Sequence, residues 1–212
     1  MRARDIGSRL IVAVARNYAS HIAELNNAPL TKPVIFLKPP SSRIFAGDSI
    51  LIPRHLSQVH HEVELGVVVG DGPVSCIDPD NAMDYVQGYV LALDLTAREL
   101  QKEAAKNGLP WATAKGFDTF CPISEFIPAN QVEDPMNLNL VLKVNGAIRQ
   151  QGCTSQMLFD ISTLISHCSH VMTLNKGDLV LTGTPSGVGP LRRGDSVEAE
   201  LTAHMSMSFP VQ

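Results

Sequence analysis

Aromatic residues are scarce in this chain: they make up 5% of 212 residues, and Trp111 is the single tryptophan. With 15 glycines and 14 prolines in the same chain, that points to many short strands joined by turns. Cysteine is also sparse. Cys76, Cys121, Cys153 and Cys168 contain no C-x-x-C pair, so neither a zinc knuckle nor a redox motif is indicated, and free thiols in a reducing compartment are expected. No apolar run approaches the roughly 20 residues of a membrane helix. The longest run, residues 10–15, stops at Arg16. Arg2, Arg4 and Arg9 precede it, but the run is too short for a signal peptide, and Asp5 argues against a mitochondrial leader. A soluble protein of the mitochondrion or cytoplasm is therefore expected, with no membrane partner. An excess of positive charge is missing too. Lys and Arg number 17 against 21 Asp and Glu, a formal charge of −4, which excludes non-specific nucleic-acid binding as a function class.

What is present describes a folded chain. Charged residues are 18% and apolar residues 44%, a globular balance. No repeat or low-complexity linker divides the sequence, so one domain over residues 1–212 is expected, large enough to bury a core without a staple. Alternating apolar residues predict strands at 34–37, 63–69, 86–95, 138–144, 179–182 and 197–201, with a weaker one at 205–209. Asn145-Gly146 signals a type I′ turn and hence a hairpin. Gly47-Asp48, Gly177-Asp178 and Gly194-Asp195 each read as a turn feeding a strand. Helices are fewer. Thr96 and Glu99 have the spacing of a capping box, predicting a helix from there to about Asn107, stopped by Gly108. Helical spacing of Met157, Ile161, Leu164, Ile165 and Cys168 predicts a second helix over 155–169, and 17–25 forms a short third. The sum is a strand-dominated α+β fold.

The most informative stretch is His61-Glu62-Val63-Glu64-Leu65-Gly66-Val67. On a strand, Val63, Leu65 and Val67 face one way and Glu62 and Glu64 the other, about 6–7 Å apart. Two carboxylates so placed lie on a solvated face or share a cation. Asp94 ends an apolar strand just before the predicted helix, where an acid serves as a turn or cap residue or as a third ligand. Three carboxylates from two strands suit a hard cation such as Mg2+. The order His-His-Glu is not the zinc pattern H-E-x-x-H. His21 and Glu24 are three apart and share a face on a short helix. Residues 182–189 hold three glycines and one proline, which lets the backbone approach a ligand closely, although the Lys-Ser/Thr ending of a phosphate loop is missing.

In combination, these motifs resemble the fumarylacetoacetate hydrolase family. The likeness runs from Ile11 to Phe209 and rests on Arg16-Asn17-Tyr18 with His21, Lys38-Pro39, His60-His61-Glu62 with Glu64-Leu65-Gly66, Asp94-Leu95-Thr96-Ala97-Arg98, Trp111 with Lys115, and Thr182-Gly183-Thr184-Pro185 with Gly187-Val188-Gly189. Its short members, described as acylpyruvases, oxaloacetate decarboxylases and oxaloacetate tautomerases, are the most similar. A fourth metal carboxylate of larger members has no counterpart, since Ile11 to Ser20 contains no acid.

The resemblance implies a mixed β-sandwich or β-roll, a homodimer, and one Mg2+ (or Mn2+) held by Glu62, Glu64 and Asp94. It implies that Glu24 orients His21 to take a proton from water, and that the Lys115 cation faces the developing enolate or the substrate carboxylate. Residues 182–189 would bind that carboxylate, with Thr184 donating. Gln101 is a substrate or water ligand or a plain helix-surface residue. Arg16 and Arg98 add positive charge for a dicarboxylate or form structural ion pairs. The implied substrate is a small anionic keto acid. The expected chemistry is hydrolysis of acylpyruvates such as acetylpyruvate or fumarylpyruvate, with oxaloacetate decarboxylation and keto–enol tautomerisation through the same enolate. Tautomerisation as the main activity, sugar-acid dehydration and a metal-binding pseudoenzyme on the same fold are the alternatives.

Overall fold

The structure, a computed structural model, describes residues 3–24 and 30–212. In chain order its strands are β1 (Ile11–Ala15), β2 (Val34–Lys38), β3 (Arg43–Ile44), β4 (Val59–His61), β5 (Val63–Val69), β6 (Val86–Leu93), β7 (Thr96–Ala97), β8 (Cys121–Pro122), β9 (Ile127–Pro128), β10 (Asn139–Val144), β11 (Ala147–Cys153), β12 (Leu179–Leu181), β13 (Gly189–Leu191), β14 (Ser196–Leu201) and β15 (Met205–Pro210). The helices are α1 (Ala19–Glu24), α2 (Arg98–Lys106), α3 (Ala112–Lys115) and α4 (Ile161–Val171). This is the expected strand-dominated α+β architecture.

A six-stranded sheet, in the order β2-β1-β12-β5-β6-β9, forms the centre. The β1–β12 pair is parallel and the other pairs are antiparallel. Every residue of β5 is buried. Val63, Leu65, Val67 and Val69 join the larger apolar cluster on one face, while Val68 packs with Ile11, Ala13, Val90, Ala92, Leu179 and Leu181 on the other. Burial on both faces is why these strands read as nearly continuous apolar runs. Gly66 belongs to the second face, where a Cβ would come within 2.7 Å of Val90.

A four-stranded sheet, β11-β10-β14-β15, covers the larger cluster with Leu140, Leu142, Val197, Leu201 and Phe209. Its first hairpin turns at Asn145 and Gly146, with φ of 53° and 78°, the two left-handed residues a type I′ turn requires. Two small sheets, β13-β4-β7 and β3-β8, carry the chain between the larger ones.

Three local expectations are corrected. The predicted capping box does not form: α2 follows Ala97 without a side-chain cap. Thr96 instead donates to Glu62 Oε1 at 3.0 Å, and Glu99 accepts from Ser57 N–H at 2.7 Å and Ser57 O–H at 2.8 Å. The helix predicted over 155–169 starts later, at Ile161, because Asp160 caps it by accepting from Thr163 N–H at 2.8 Å. Met157, counted as its first apolar residue, bridges to Tyr18 instead. The strand predicted over 86–95 ends at Leu93. The short helix at 17–25 is α1, and the last residue of that expectation, Leu25, lies outside the described residues. The stop at Gly108 holds, with φ of 65° in the left-handed region.

Candidate active site

The β5–β6 register places the three acids. Val63 pairs with Leu93, so Glu62 and Asp94 leave the ladder side by side, and Asp94 N–H donates to the Glu62 carbonyl at 2.9 Å. Glu64 follows one pleat along β5. The three residues are 6%, 1% and 1% exposed, which excludes a solvated face. One carboxylate oxygen from each lies within 4.8 Å of the others.

Buried like charges at this range require compensation. Lys115, at the end of α3, reaches Glu62 Oε2 at 2.9 Å and Asp94 Oδ2 at shorter range. Lys38, at the end of β2, lies 2.7 Å from Asp94 Oδ1 and donates to the Lys115 carbonyl at 2.5 Å. Arg98, opening α2, holds Glu62 Oε1 at 2.6 Å. Three cations from three elements thus pair with two of the three acids, Glu62 and Asp94. Burial pushes the Glu62 carboxyl up, but Lys115, Arg98 and His21 outweigh it and hold it down at about 2. Burial, Asp94 and Glu62 together push Glu64 well above the usual carboxylate range, and Lys115 and the Gly183 N–H offset this only in part.

The donor set fits a hard divalent cation. The acids are oxygen donors from two adjacent strands, and Asp94 Oδ1 is buried without a hydrogen bond. Lys38 is close to that oxygen but not aligned with it, so a lone pair stays open.

Beside the cluster, His21 Nδ1 meets Glu24 Oε2 at 3.0 Å across one turn of α1. Glu24 also accepts from Gly187 N–H at 3.1 Å, which ties α1 to the glycine loop. His21 is 5% exposed. Both residues open onto a cavity of about 480 Å³ walled by Val14, Phe36, Trp111 and Val188. All ten residues singled out from the sequence line it: Arg16, His21, Glu24, Glu62, Glu64, Asp94, Arg98, Gln101, Lys115 and Thr184.

Lining a cavity is not the same as facing a substrate. The Lys115 ammonium lies on Glu62 and Asp94, and 5.0 Å from the Phe36 ring centre. Arg98 takes the ion-pair alternative and also donates to Gln101 Oε1 at 2.5 Å, leaving the Gln101 amide hydrogens for the cavity. Thr184 O–H donates to the Val63 carbonyl at 2.8 Å and accepts from Gln150 at 2.8 Å, so its single hydrogen is committed to the fold. The amides of Gly183 and Gly187 point at Glu64 and Glu24 rather than into open space. The glycine loop holds the carboxylates of Glu64 and Glu24. Gly187, at φ of 94°, could carry no side chain there, because a Cβ would lie 2.1 Å from the Arg149 carbonyl.

Two residues were given no role from sequence. Lys38 appeared only inside a motif; its signal is a charge closing an apolar strand before two prolines. His60 lines the cavity and accepts from Arg98 Nε at 3.3 Å through Nδ1. Burial and the Arg98 charge push its pKa down to about 4, so the neutral ring keeps a hydrogen on Nε2.

Comparison with known proteins agrees with this geometry. The family described as fumarylacetoacetate hydrolase C-terminal matches residues 10–212. The mitochondrial oxaloacetate tautomerase of Homo sapiens is 48% identical over 202 residues, covering 95% of this chain and 91% of the relative. The mitochondrial oxaloacetate decarboxylase of Dictyostelium discoideum is 51% identical over 195 residues, covering 92% and 89%. Among solved structures, fumarylpyruvate hydrolase from Pseudomonas aeruginosa in complex with Mn2+ and pyruvate superposes with a TM-score of 0.90 at 34% identity, covering 96% of this chain and 89% of that one.

Proposed function

This chain belongs to the fumarylacetoacetate hydrolase family, and from that premise we propose that it is a divalent-metal-dependent enzyme acting on small keto acids that contain a pyruvate unit. The observation that carries the reading is one cavity holding three buried carboxylates within 4.8 Å of each other beside a His–Glu dyad. The Mn2+ and pyruvate of the Pseudomonas relative support the metal and the substrate unit. Glu62, Glu64 and Asp94 would hold Mg2+ or Mn2+, which supplies a Lewis acid for negative charge on the enol oxygen.

The chain's own residues supply the rest. Glu24 holds His21 Nδ1–H, leaving Nε2 free to take a proton from water. With an acylpyruvate, the water adds to the distal carbonyl and the carbon–carbon bond breaks, releasing a carboxylic acid and pyruvate enolate. His21 returns the proton to that enolate to give pyruvate. Phe36, Trp111 and Val188 give the cavity an apolar wall. With oxaloacetate the same enolate forms by loss of CO2. Moving a proton between carbon and oxygen interconverts the enol and keto forms. Tautomerisation as the main activity is favoured by the name of the human relative at 48% identity.

Residues 1–212 act as one catalytic unit in this reading, as a homodimer. Light scattering at twice the 22.9 kDa chain mass checks the dimer. The mitochondrial names of the two relatives favour that location. Among the described residues no helix is long and apolar enough to cross a membrane. The test is turnover of acetylpyruvate, keto-oxaloacetate and enol-oxaloacetate by purified protein with Mg2+, with Mn2+ and with a chelator. Turnover that the chelator abolishes is expected. No turnover of any of them with metal present sinks the reading.

A further inference from the structure

Of the cations around the cavity, Lys38, Lys115 and Arg98 are each engaged by Glu62 or Asp94. Arg16 is not. Its Nε is buried without a hydrogen-bond partner, and it makes no ion pair among the described residues. The segments outside the description, residues 1–2 and 25–29, contain no acid that could provide one. The side chain is only half-buried, so its terminal nitrogens stay open to the cavity, and the buried Nε–H is a donor that a ligand there would complete.

The backbone carries a second anomaly at the same residue. Arg16 has φ of 55°, in the left-handed region that disfavours a residue with this side chain. Asn17 enforces it: its side chain donates to the Thr182 and Phe159 carbonyls at 2.9 Å and accepts from Phe159 N–H at 2.9 Å. Glycine would suit this turn better, so the conformation aims a particular side chain.

Placement identifies what it is aimed at. Arg16 follows the end of β1, and β12 alone separates β1 from β5. Two strand spacings, about 10 Å, therefore lie between Arg16 and the chain carrying Glu64. Arg16 and the acid cluster line the same cavity. A keto acid with its pyruvate end at the cluster would extend its other end toward Arg16. A guanidinium fork matches a carboxylate bidentately.

Resting on the functional reading above, we propose that Arg16 binds the second carboxylate of the substrate, so that the site selects dicarboxylic keto acids such as oxaloacetate over acylpyruvates with an uncharged acyl end. Lys102 is the competing cation, exposed at the cavity mouth and solvated.

The test compares enol-oxaloacetate with acetylpyruvate in wild type, Arg16→Gly, Arg16→Asn, Arg16→Lys and Lys102→Met. Glycine and asparagine both tolerate the left-handed backbone, so these variants keep the fold, and Arg16→Gly melts at or above the wild-type temperature. For Arg16→Gly and Arg16→Asn, kcat/KM on oxaloacetate falls about 10- to 100-fold, carried mainly by KM, the loss expected for one charge-assisted hydrogen-bonded pair. The acetylpyruvate rate stays at the wild-type level, and Arg16→Lys falls between. Equal losses on both substrates, no loss on either, or a selective loss in Lys102→Met instead overturns the assignment. If wild type turns over neither substrate, the functional reading itself fails. If wild type turns over both and Arg16→Gly keeps their ratio, only the role of Arg16 fails.

Discussion

The acid platform on β5 and β6 and the rim made by α1 with the glycine loop meet in one cavity but are built differently. On the platform the acids are nearly inaccessible, and each is answered by a charge or hydrogen-bond donor from a distant element: Lys38 from β2, Lys115 from α3, Arg98 from α2 and Gly183 from the loop. On the rim, α1 has six residues, Glu24 keeps 36% of its side chain exposed, and its tie to the loop is the Gly187 amide. A buried platform keeps ligand positions constant, as electrostatic stabilisation of an enolate requires. A lighter rim suits proton transfer with water. Under the proposed function the difference would divide labour: the platform would decide whether any reaction occurs, and the rim which one.

The largest effect that would break this division is on the platform. Glu62→Gln and Asp94→Asn are each expected to remove all three activities by about 10³-fold or more, together with Mn2+ binding measured by calorimetry. A variant that retains decarboxylation would separate the acids from the shared step.

His21→Ala tests the rim. Acylpyruvate hydrolysis should fall about 10²- to 10⁴-fold, while decarboxylation, which needs no activated water, stays near wild type. Hydrolysis of acetylpyruvate at the normal rate would remove the dyad from the mechanism.

Lys38→Met asks whether the platform is held by charge. Removing one partner of a buried ion pair typically costs about 3–5 kcal/mol. Urea unfolding of the metal-free variant should show a loss of that order, with part of it recovered on adding Mn2+. An unchanged midpoint would mean that Lys38 does not hold the acids in place.

The smallest effect concerns thiols. Burial pushes Cys121, beneath the platform, and Cys168, on α4, up to about 12. Between pH 9 and 12 these thiols ionise in the unfolded chain while the folded one keeps its protons, so stability should fall as pH rises through that window. Alkylation at pH 8 should mark exposed Cys76 and half-buried Cys153 and spare the buried pair. Rapid labelling of Cys121 in the native protein would show that the platform opens.

Much of the site was legible because it is periodic. Glu62 and Glu64 stand out by alternation against Val63, Leu65 and Val67, Asp94 by ending an apolar strand, and His21 and Glu24 by helical spacing. The hairpin at Asn145-Gly146 was legible because two left-handed residues are a local requirement. Failures came where a polar group had two possible partners. Thr96 and Glu99 have capping-box spacing, yet Glu62 and Ser57 offered them other bonds. The amides of residues 182–189 were free to bind a substrate until the fold set Glu64 and Glu24 against them.

Strand alternation, helix spacing, turn residues and charge balance are properties of neighbours along the chain, and the sequence by itself determined them, while it left open whether the three acids cluster or lie apart. The tertiary structure alone decided which cation answers which acid. Lys38 lies 57 residues from the Leu95 carbonyl that it also contacts, and 77 from the Lys115 carbonyl. Pairing at such separations follows from how sheets and helices close on the core, and no local pattern records it. For the same reason Lys38, Lys115 and Arg98 are held by acids, and Arg16 has no ion pair among the described residues.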